Sequence, residues 1–155
     1  MLTNFFCLKY FSNFGLVEGI SKIQTMIGSG ATNSELYEEI KKLAISLSLS
    51  NEYRYYILIC GLFSKERNIV KFWTKNEQVF IDLVSADGKI GIRHLMQSIV
   101  QFFVRKNPQM SVYSGTFMKL LYDQEVFEEE FILRWYNKKL KLDKTCALYD
   151  KRAER

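Results

Sequence analysis

Apolar residues recur every three or four positions along most of this chain, and this helical period is the feature that most restricts its fold. The series between residues 16 and 27 and the series between 36 and 47 are two examples. Period-two patterns with hairpin turns, which are typical of strands, do not occur. The sequence therefore predicts an all-α fold, in which antiparallel helix pairs stack as a HEAT-like helical repeat domain.

Local signals predict where individual helices begin and end. Gly28-Ser29-Gly30 ends one helix, and Thr32 with Glu35 forms the capping box that starts the next. The segment from Tyr53 to Phe63 is apolar on most sides, which predicts a central helix. Asp87-Gly88 is a turn signal, and Pro108 stops the apolar helix before it.

The size and charge of the chain limit the classes of protein to which it can belong. Its 155 residues point to one helical domain over residues 13–155, with an N-terminal extension over 1–12 that either precedes or joins the first helix. A net charge of +5 permits an acidic partner without requiring one. The longest apolar run is too short to cross a bilayer. Three widely spaced cysteines fit buried thiols in a reducing compartment, so we expect a cytoplasmic protein.

No pattern of residues indicates a catalytic centre. The single histidine, His94, has no cysteine or carboxylate cluster close to it in sequence, which favours a structural role. A glycine-rich phosphate loop, a nucleophile elbow and metal-ligand spacing are all absent from the sequence. We therefore expect a protein that is not an enzyme and that needs no metal or cofactor.

The segment from residue 120 to 136 carries the strongest functional signal. Its carboxylates are candidates for binding a basic partner, because acidic groups steer lysine-rich segments: Asp123, Glu125, Glu128, Glu129 and Glu130. Aromatic residues lie among and next to them and are expected to support the acidic groups: Tyr122, Phe127, Phe131, Trp135 and Tyr136. Phe127, Phe131 and Trp135 share one helix face, and Glu130 is placed to pair with Arg134.

Basic residues form a second candidate surface. Lys65, Arg67, Lys71 and Lys75 would make a basic face for an acidic partner. Such runs are more often solvated helix faces, and no nucleic-acid-binding motif accompanies them. Direct binding of RNA is therefore not favoured.

The acidic and aromatic residues of this segment resemble a known family. Leu121-Tyr122-Asp123-Gln124-Glu125-Val126, followed by the glutamates at 128–130 and by Trp135-Tyr136, resembles the first acidic–aromatic box of the two-tryptophan domain. That domain ends translation initiation factor 5, the epsilon subunit of initiation factor 2B, the initiation factor 5 mimic proteins and some members of the initiation factor 4 gamma group. The three consecutive glutamates fit initiation factor 5 best. The second box is missing, so the resemblance implies a chain that is truncated before it or an atypical member.

The resemblance implies a function in protein biosynthesis. A domain of this family is a HEAT-type assembly module that binds the lysine-rich tail of the beta subunit of initiation factor 2, a subunit of initiation factor 3, and initiation factor 1. Any GTPase activation would belong to an N-terminal domain that this sequence does not contain. Two alternatives stay open: the nucleotide-exchange epsilon subunit of initiation factor 2B or a mimic protein, and a generic helical adaptor or RNA-binding module.

Overall fold

The computed structural model describes residues 13–63, 68–134 and 137. The chain divides into two compact units, Met1–Leu120 and Leu121–Arg155. Helices account for most of the described residues: α1 (Asn13–Gly28), α2 (Asn33–Ser46), α3 (Tyr53–Phe63), α4 (Ile69–Asp87), α5 (Lys89–Val100) and α6 (Val112–Asp123). A π-helical turn over Gln101–Lys106 continues α5, and a 3₁₀ turn over Pro108–Met110 precedes α6. Residues 129–134 form a further short helical segment.

The junction between α1 and α2 follows the predicted local signals. Gly30 has a φ of 78°, and the amide of Ala31 donates to the carbonyl of Met26 at 3.0 Å, which together close α1 in a Schellman motif. Both bonds of the capping box are present: the Glu35 amide donates to Thr32 Oγ1, and the Thr32 amide donates to Glu35 Oε2. These bonds satisfy groups that a helix end leaves without partners.

Helix α3 is the centre of the first unit, as predicted. Ten of its eleven residues are buried, and it packs against α1, α2, α4 and α5. The contact with α1 is close because Gly61 faces Ile23: a Cβ at Gly61 would lie 2.6 Å from Ile23 Cγ2. A larger residue at position 61 would therefore force the two helices apart.

Aromatic rings fill the interior beside α3. Phe117 of α6 is fully buried, and its ring lies near five other aromatic rings of the first unit: Phe63, Phe72, Trp73, Phe80 and Phe103. The closest centroid, that of Trp73, is 5.4 Å away, with the two ring planes at 78°. Edge-to-face pairs of this kind add to the free energy gained by burying the rings.

Helices α4 and α5 meet at the predicted turn. The side chain of Asn68 accepts from the Lys71 amide and caps α4, and Gly88, with a φ of 69°, ends it. The sequence predicted the turn at Asp87-Gly88 but not the Asn68 cap. Helix α5 ends in the π-helical turn before Pro108, where the sequence predicted a stop but no change of helix type.

The prediction of an all-α fold is confirmed, since the described residues contain helices and turns without a strand. The arrangement as a HEAT-like repeat stays a prediction. The domain bounds also stay a prediction, because residues 1–12 lie outside the described part. Among the described residues, none of the helices is both long enough and apolar enough to cross a membrane.

Candidate functional site

The five predicted carboxylates lie in the second unit, and we refer to them as the acidic cluster: Asp123, Glu125, Glu128, Glu129 and Glu130. All five residues are exposed. Glu130 Oε1 lies 3.9 Å from Arg134 Nε, which confirms the predicted i,i+4 pair. Exposed pairs of this kind contribute about 0.3–0.5 kcal/mol, so a partner's lysine can readily replace Arg134.

The chain turns sharply at Glu125, directly after α6 ends at Asp123. Glu125 has a φ of 57°, in the left-handed region that favours glycine. Its amide donates to the carbonyl of Tyr122, and the amide of Val126 donates to the carbonyl of Leu121, each at 3.0 Å. These two bonds form a Schellman motif in which glutamate occupies the usual glycine position.

The next helical segment begins directly after Glu128. The Glu128 carbonyl accepts from the amides of Phe131, at 3.0 Å, and Ile132, at 3.2 Å. Glu129 and Glu130 therefore lie in the first turn, where the helix dipole favours negative charge. Three successive carboxylates thus project from one short turn without a strong partner among the described residues.

The aromatic residues of the segment fall into two groups. Phe127 is only 2% exposed and stacks with Phe131, with centroids 5.9 Å apart and planes at 26°. Phe127 precedes the helical segment of residues 129–134, so the prediction that it shares a helix face with Phe131 is wrong. The supporting role of the two residues stays a prediction. Tyr122 is 46% exposed, so its ring is a candidate for partner contact rather than internal support. Trp135 and Tyr136 lie outside the described residues.

The predicted basic face is described only in part. Lys71 and Lys75 are exposed and lie one turn apart on α4. Lys65 and Arg67 lie outside the described residues. The two described lysines belong to the first unit, whereas the acidic cluster belongs to the second.

Sequence reasoning missed a polar cluster between α3, α4 and α5. Asp87 Oδ2 accepts from Arg54 Nη2 at 2.6 Å and from the Tyr55 hydroxyl at 2.7 Å. Burial, with the bond to Asp87, raises the pKa of Tyr55 well above its usual range. A Cβ at Gly91 would lie 2.6 Å from the Tyr55 hydroxyl oxygen, so only glycine fits there. The residues are too far apart in sequence for a motif to reveal them.

His94 borders this polar cluster. Its Nε2 lies 3.7 Å from Glu52 Oε2, and its buried Nδ1 has no hydrogen-bond partner in the described part of the chain. Burial lowers the pKa of His94 below its usual value, although Glu52 and Asp87 oppose this effect. A neutral histidine held by packing fits the predicted structural role.

Cys60, in the described part of the chain, has a thiol of low reactivity. Cys60 is unpaired and half-buried, and burial of its thiol raises its pKa to about 12. The thiolate, which is the reactive form, is therefore scarce at neutral pH. Cys7 and Cys146 lie outside the described residues. Within the described part of the chain, no group of histidines, cysteines and carboxylates could hold a metal ion.

Comparisons with family models, curated proteins and solved structures found no match to this chain.

The resemblance to the two-tryptophan domain therefore stays a prediction from the sequence. The candidate site that remains is the acidic cluster on its turn, in a segment that also contains the buried Phe127 and the exposed Tyr122. Its chemistry is that of charge recognition: exposed carboxylates that can accept charge-assisted hydrogen bonds from lysine or arginine.

Proposed function

We propose that this chain is a non-catalytic, protein-binding module whose acidic cluster recognises a lysine-rich segment of a partner protein. The observation that carries the proposal is the exposure of all five carboxylates of the acidic cluster. Glu125 adopts the left-handed conformation that Ser48 also adopts at the end of α2, so this conformation places the carboxylate at the turn without by itself marking a function. At this position, a glutamate adds a fifth carboxylate to four that are already exposed.

The distribution of charge and the exposed ring of Tyr122 support a basic partner. The acidic cluster gathers five carboxylates over eight residues, although the whole chain carries a net charge of +5. A local negative region on a basic chain attracts lysine-rich segments and increases their rate of association. Tyr122, 46% exposed, offers a ring over which an alkyl or ammonium group can pack.

The resemblance to initiation factor 5 supplies a specific partner for this proposal. We propose that the lysine-rich tail of the beta subunit of initiation factor 2 binds the acidic cluster in the cytoplasm, during assembly of the translation preinitiation complex. The initiation factor 3 subunit and initiation factor 1 are further proposed partners.

The test is a titration of the full chain with a fluorescein-labelled lysine-rich peptide, followed by anisotropy. Glu128, Glu129 and Glu130 are changed together to lysine. Because each exposed ion pair is worth about 0.2–1 kcal/mol, we expect affinity to fall by about tenfold or more. Raised salt should also weaken binding of the unaltered chain, since it screens exposed charges.

A matched control separates the acidic cluster from net charge. Glu18, Glu38 and Glu39, on α1 and α2, are changed together to lysine, which alters net charge by the same amount. This control should bind the peptide much more tightly than the first triple variant does. Equal losses in both variants would contradict recognition at the acidic cluster.

The two alternatives give different results. A nucleotide-exchange subunit would accelerate release of GDP from initiation factor 2, which a binding module would not do. A generic RNA-binding module would bind a labelled RNA oligonucleotide at least as well as the lysine-rich peptide. Either outcome would replace the proposed function.

A further inference from the structure

A cavity of about 320 Å³ opens in the first unit, where the end of α1 and the start of α2 face α4. Its apolar walls come from Ile27, Leu36, Leu62 and Phe72, and Lys71 and Lys75 also line it. Leu36, Leu62 and Phe72 are buried, whereas both lysines are exposed. The cavity therefore has an apolar interior with its positive charge on the solvent side.

The walls of this cavity are held in place by the fold. The capping box fixes the start of α2, and the Asn33 side-chain amide donates to the Lys75 carbonyl at 3.0 Å. This second bond ties the start of α2 to α4, which carries both lysines. Asn76, which also lines the cavity, donates to the Phe72 carbonyl of its own helix. The cavity is thus preformed, which reduces the entropic cost of filling it.

The charges around the cavity select an anion. No carboxylate lines it among the described residues. Glu35, the acidic residue nearest in sequence on α2, accepts the Thr32 amide in the capping box. The Glu35 carboxylate offsets the positive end of the α2 dipole, so the two lysines supply the positive charge beside the cavity. The apolar walls in turn select a hydrocarbon body, because water in contact with them is readily displaced.

We propose that this cavity binds a small amphipathic carboxylate, with its hydrocarbon chain against Leu36, Leu62 and Phe72 and its head group beside Lys75. The volume lies near the lower end of the range for ligand pockets, about 300–1,000 Å³, which suits one short chain. This binding activity is independent of the acidic cluster, which lies in the other unit.

The experiment is isothermal titration calorimetry of the full chain with decanoate, below its micellar concentration. Decanol, which lacks the charge, and acetate, which lacks the chain, are titrated in parallel. We expect decanoate to saturate one site and both analogues to bind more weakly. Amide chemical shifts at Gly30, Lys75 and Asn76 should change with decanoate, because these residues line the cavity.

Two variants and a control test the position of the ligand. Lys75→Gln removes one charge from the cavity and should weaken decanoate binding by about threefold, as expected for an exposed ion pair. Ala31→Leu enlarges a lining residue and should abolish binding while circular dichroism confirms the helical fold. Lys89→Gln, an exposed lysine at the start of α5, should bind as the unaltered chain does.

Several results would overturn the proposal. Decanol binding as tightly as decanoate would remove the role of charge, and equal losses in Lys75→Gln and Lys89→Gln would remove the role of the cavity. Absence of saturable decanoate binding would contradict the proposed binding activity itself. If an acidic peptide bound at Lys75 and decanoate did not, the ligand would be a protein segment and the proposed class would be wrong.

Discussion

Glu125 occupies the backbone position at the end of α6 that Gly30 occupies at the end of α1. Both residues have positive φ, 57° for Glu125 and 78° for Gly30, and both lie at the turn of a Schellman motif. Only the glycine adopts this conformation without a steric penalty. The positive φ of Glu125 therefore lowers the stability of the folded chain, and the same residue contributes a carboxylate to the acidic cluster.

Replacing Glu125 by glycine should therefore stabilise the chain. We expect Glu125→Gly to raise the free energy of unfolding by about 0.5–1 kcal/mol, because relief of left-handed strain outweighs the greater freedom of glycine when unfolded. Urea denaturation measures the change. The same variant should bind a lysine-rich peptide more weakly. Gly30→Ala is the reverse control and should lower stability by about 1 kcal/mol; a stability loss in Glu125→Gly would contradict the strain.

A methyl group at Gly61 should be poorly tolerated. Its Cβ would lie 2.6 Å from Ile23 Cγ2 and 2.9 Å from Ile23 Cβ, so α1 and α3 would have to separate. We expect Gly61→Ala to lower the free energy of unfolding by about 1–3 kcal/mol, as overpacking does.

Gly115 provides the matched control for this change. It lies within α6, and a Cβ there meets nothing within 4 Å. Gly115→Ala should stabilise the chain by about 0.5–1 kcal/mol, because alanine has the higher helix propensity. Thermal unfolding followed by circular dichroism compares the two variants, and a similar shift for both would show that the contact with Ile23 is unimportant.

Asp87 should be important for stability, because it joins α4 to α3. Changing it to alanine removes the acceptor for Arg54 and Tyr55, and it leaves the guanidinium largely buried without its charge partner. For fully buried pairs this kind of change lowers stability by about 3–5 kcal/mol, and the partial exposure here should reduce the effect. Asp82→Ala, which removes only an acceptor for Gln78 on the surface of α4, should have a much smaller effect in urea denaturation.

Protonation of His94 should destabilise the first unit. Burial lowers the pKa of His94 in the folded chain, so the unfolded chain, with a pKa of about 6.5, takes up the proton first as pH falls. Stability is then complete above about pH 6.5 and is lost as pH falls towards the lowered pKa of the folded state. His94→Gln should remove this part of the pH dependence, as measured by urea denaturation between about pH 5 and 8.

Glu52 raises the pKa of His94 and so opposes the effect of burial. Its carboxylate lies 3.7 Å from His94 Nε2 and favours the charged imidazole. Glu52→Gln should therefore lower the pKa of His94 further, which NMR titration of the ring protons measures directly. A rise in that pKa would contradict the arrangement.

The parts of the fold that depend on neighbours in sequence were predictable. The capping box of Thr32 and Glu35, the turn at Gly30 and the stop before Pro108 all follow from rules that act over a few residues. The apolar period also identified α3 as the central helix, because a helix with no polar face must be buried.

The features that depend on distant contacts were not predictable. Asp87 meets Arg54 and Tyr55 only after α3 and α4 pack together, and no local pattern marks that meeting. The cavity beside Lys75 also requires four helices, α1 to α4, to converge. At the acidic cluster, charge and amphipathic spacing were visible in the sequence, but the left-handed conformation of Glu125 was not, because glutamate is not a residue that signals it.

The ring of Phe117 is surrounded by aromatic neighbours from three other parts of the first unit, and it is fully shielded from solvent. In so dense a packing, a half-turn of the ring about its long axis requires several neighbouring rings to move outwards together. Such flips should be slow enough for the two sides of the Phe117 ring to give separate proton signals. Their coalescence on warming would record how often the interior of the unit expands.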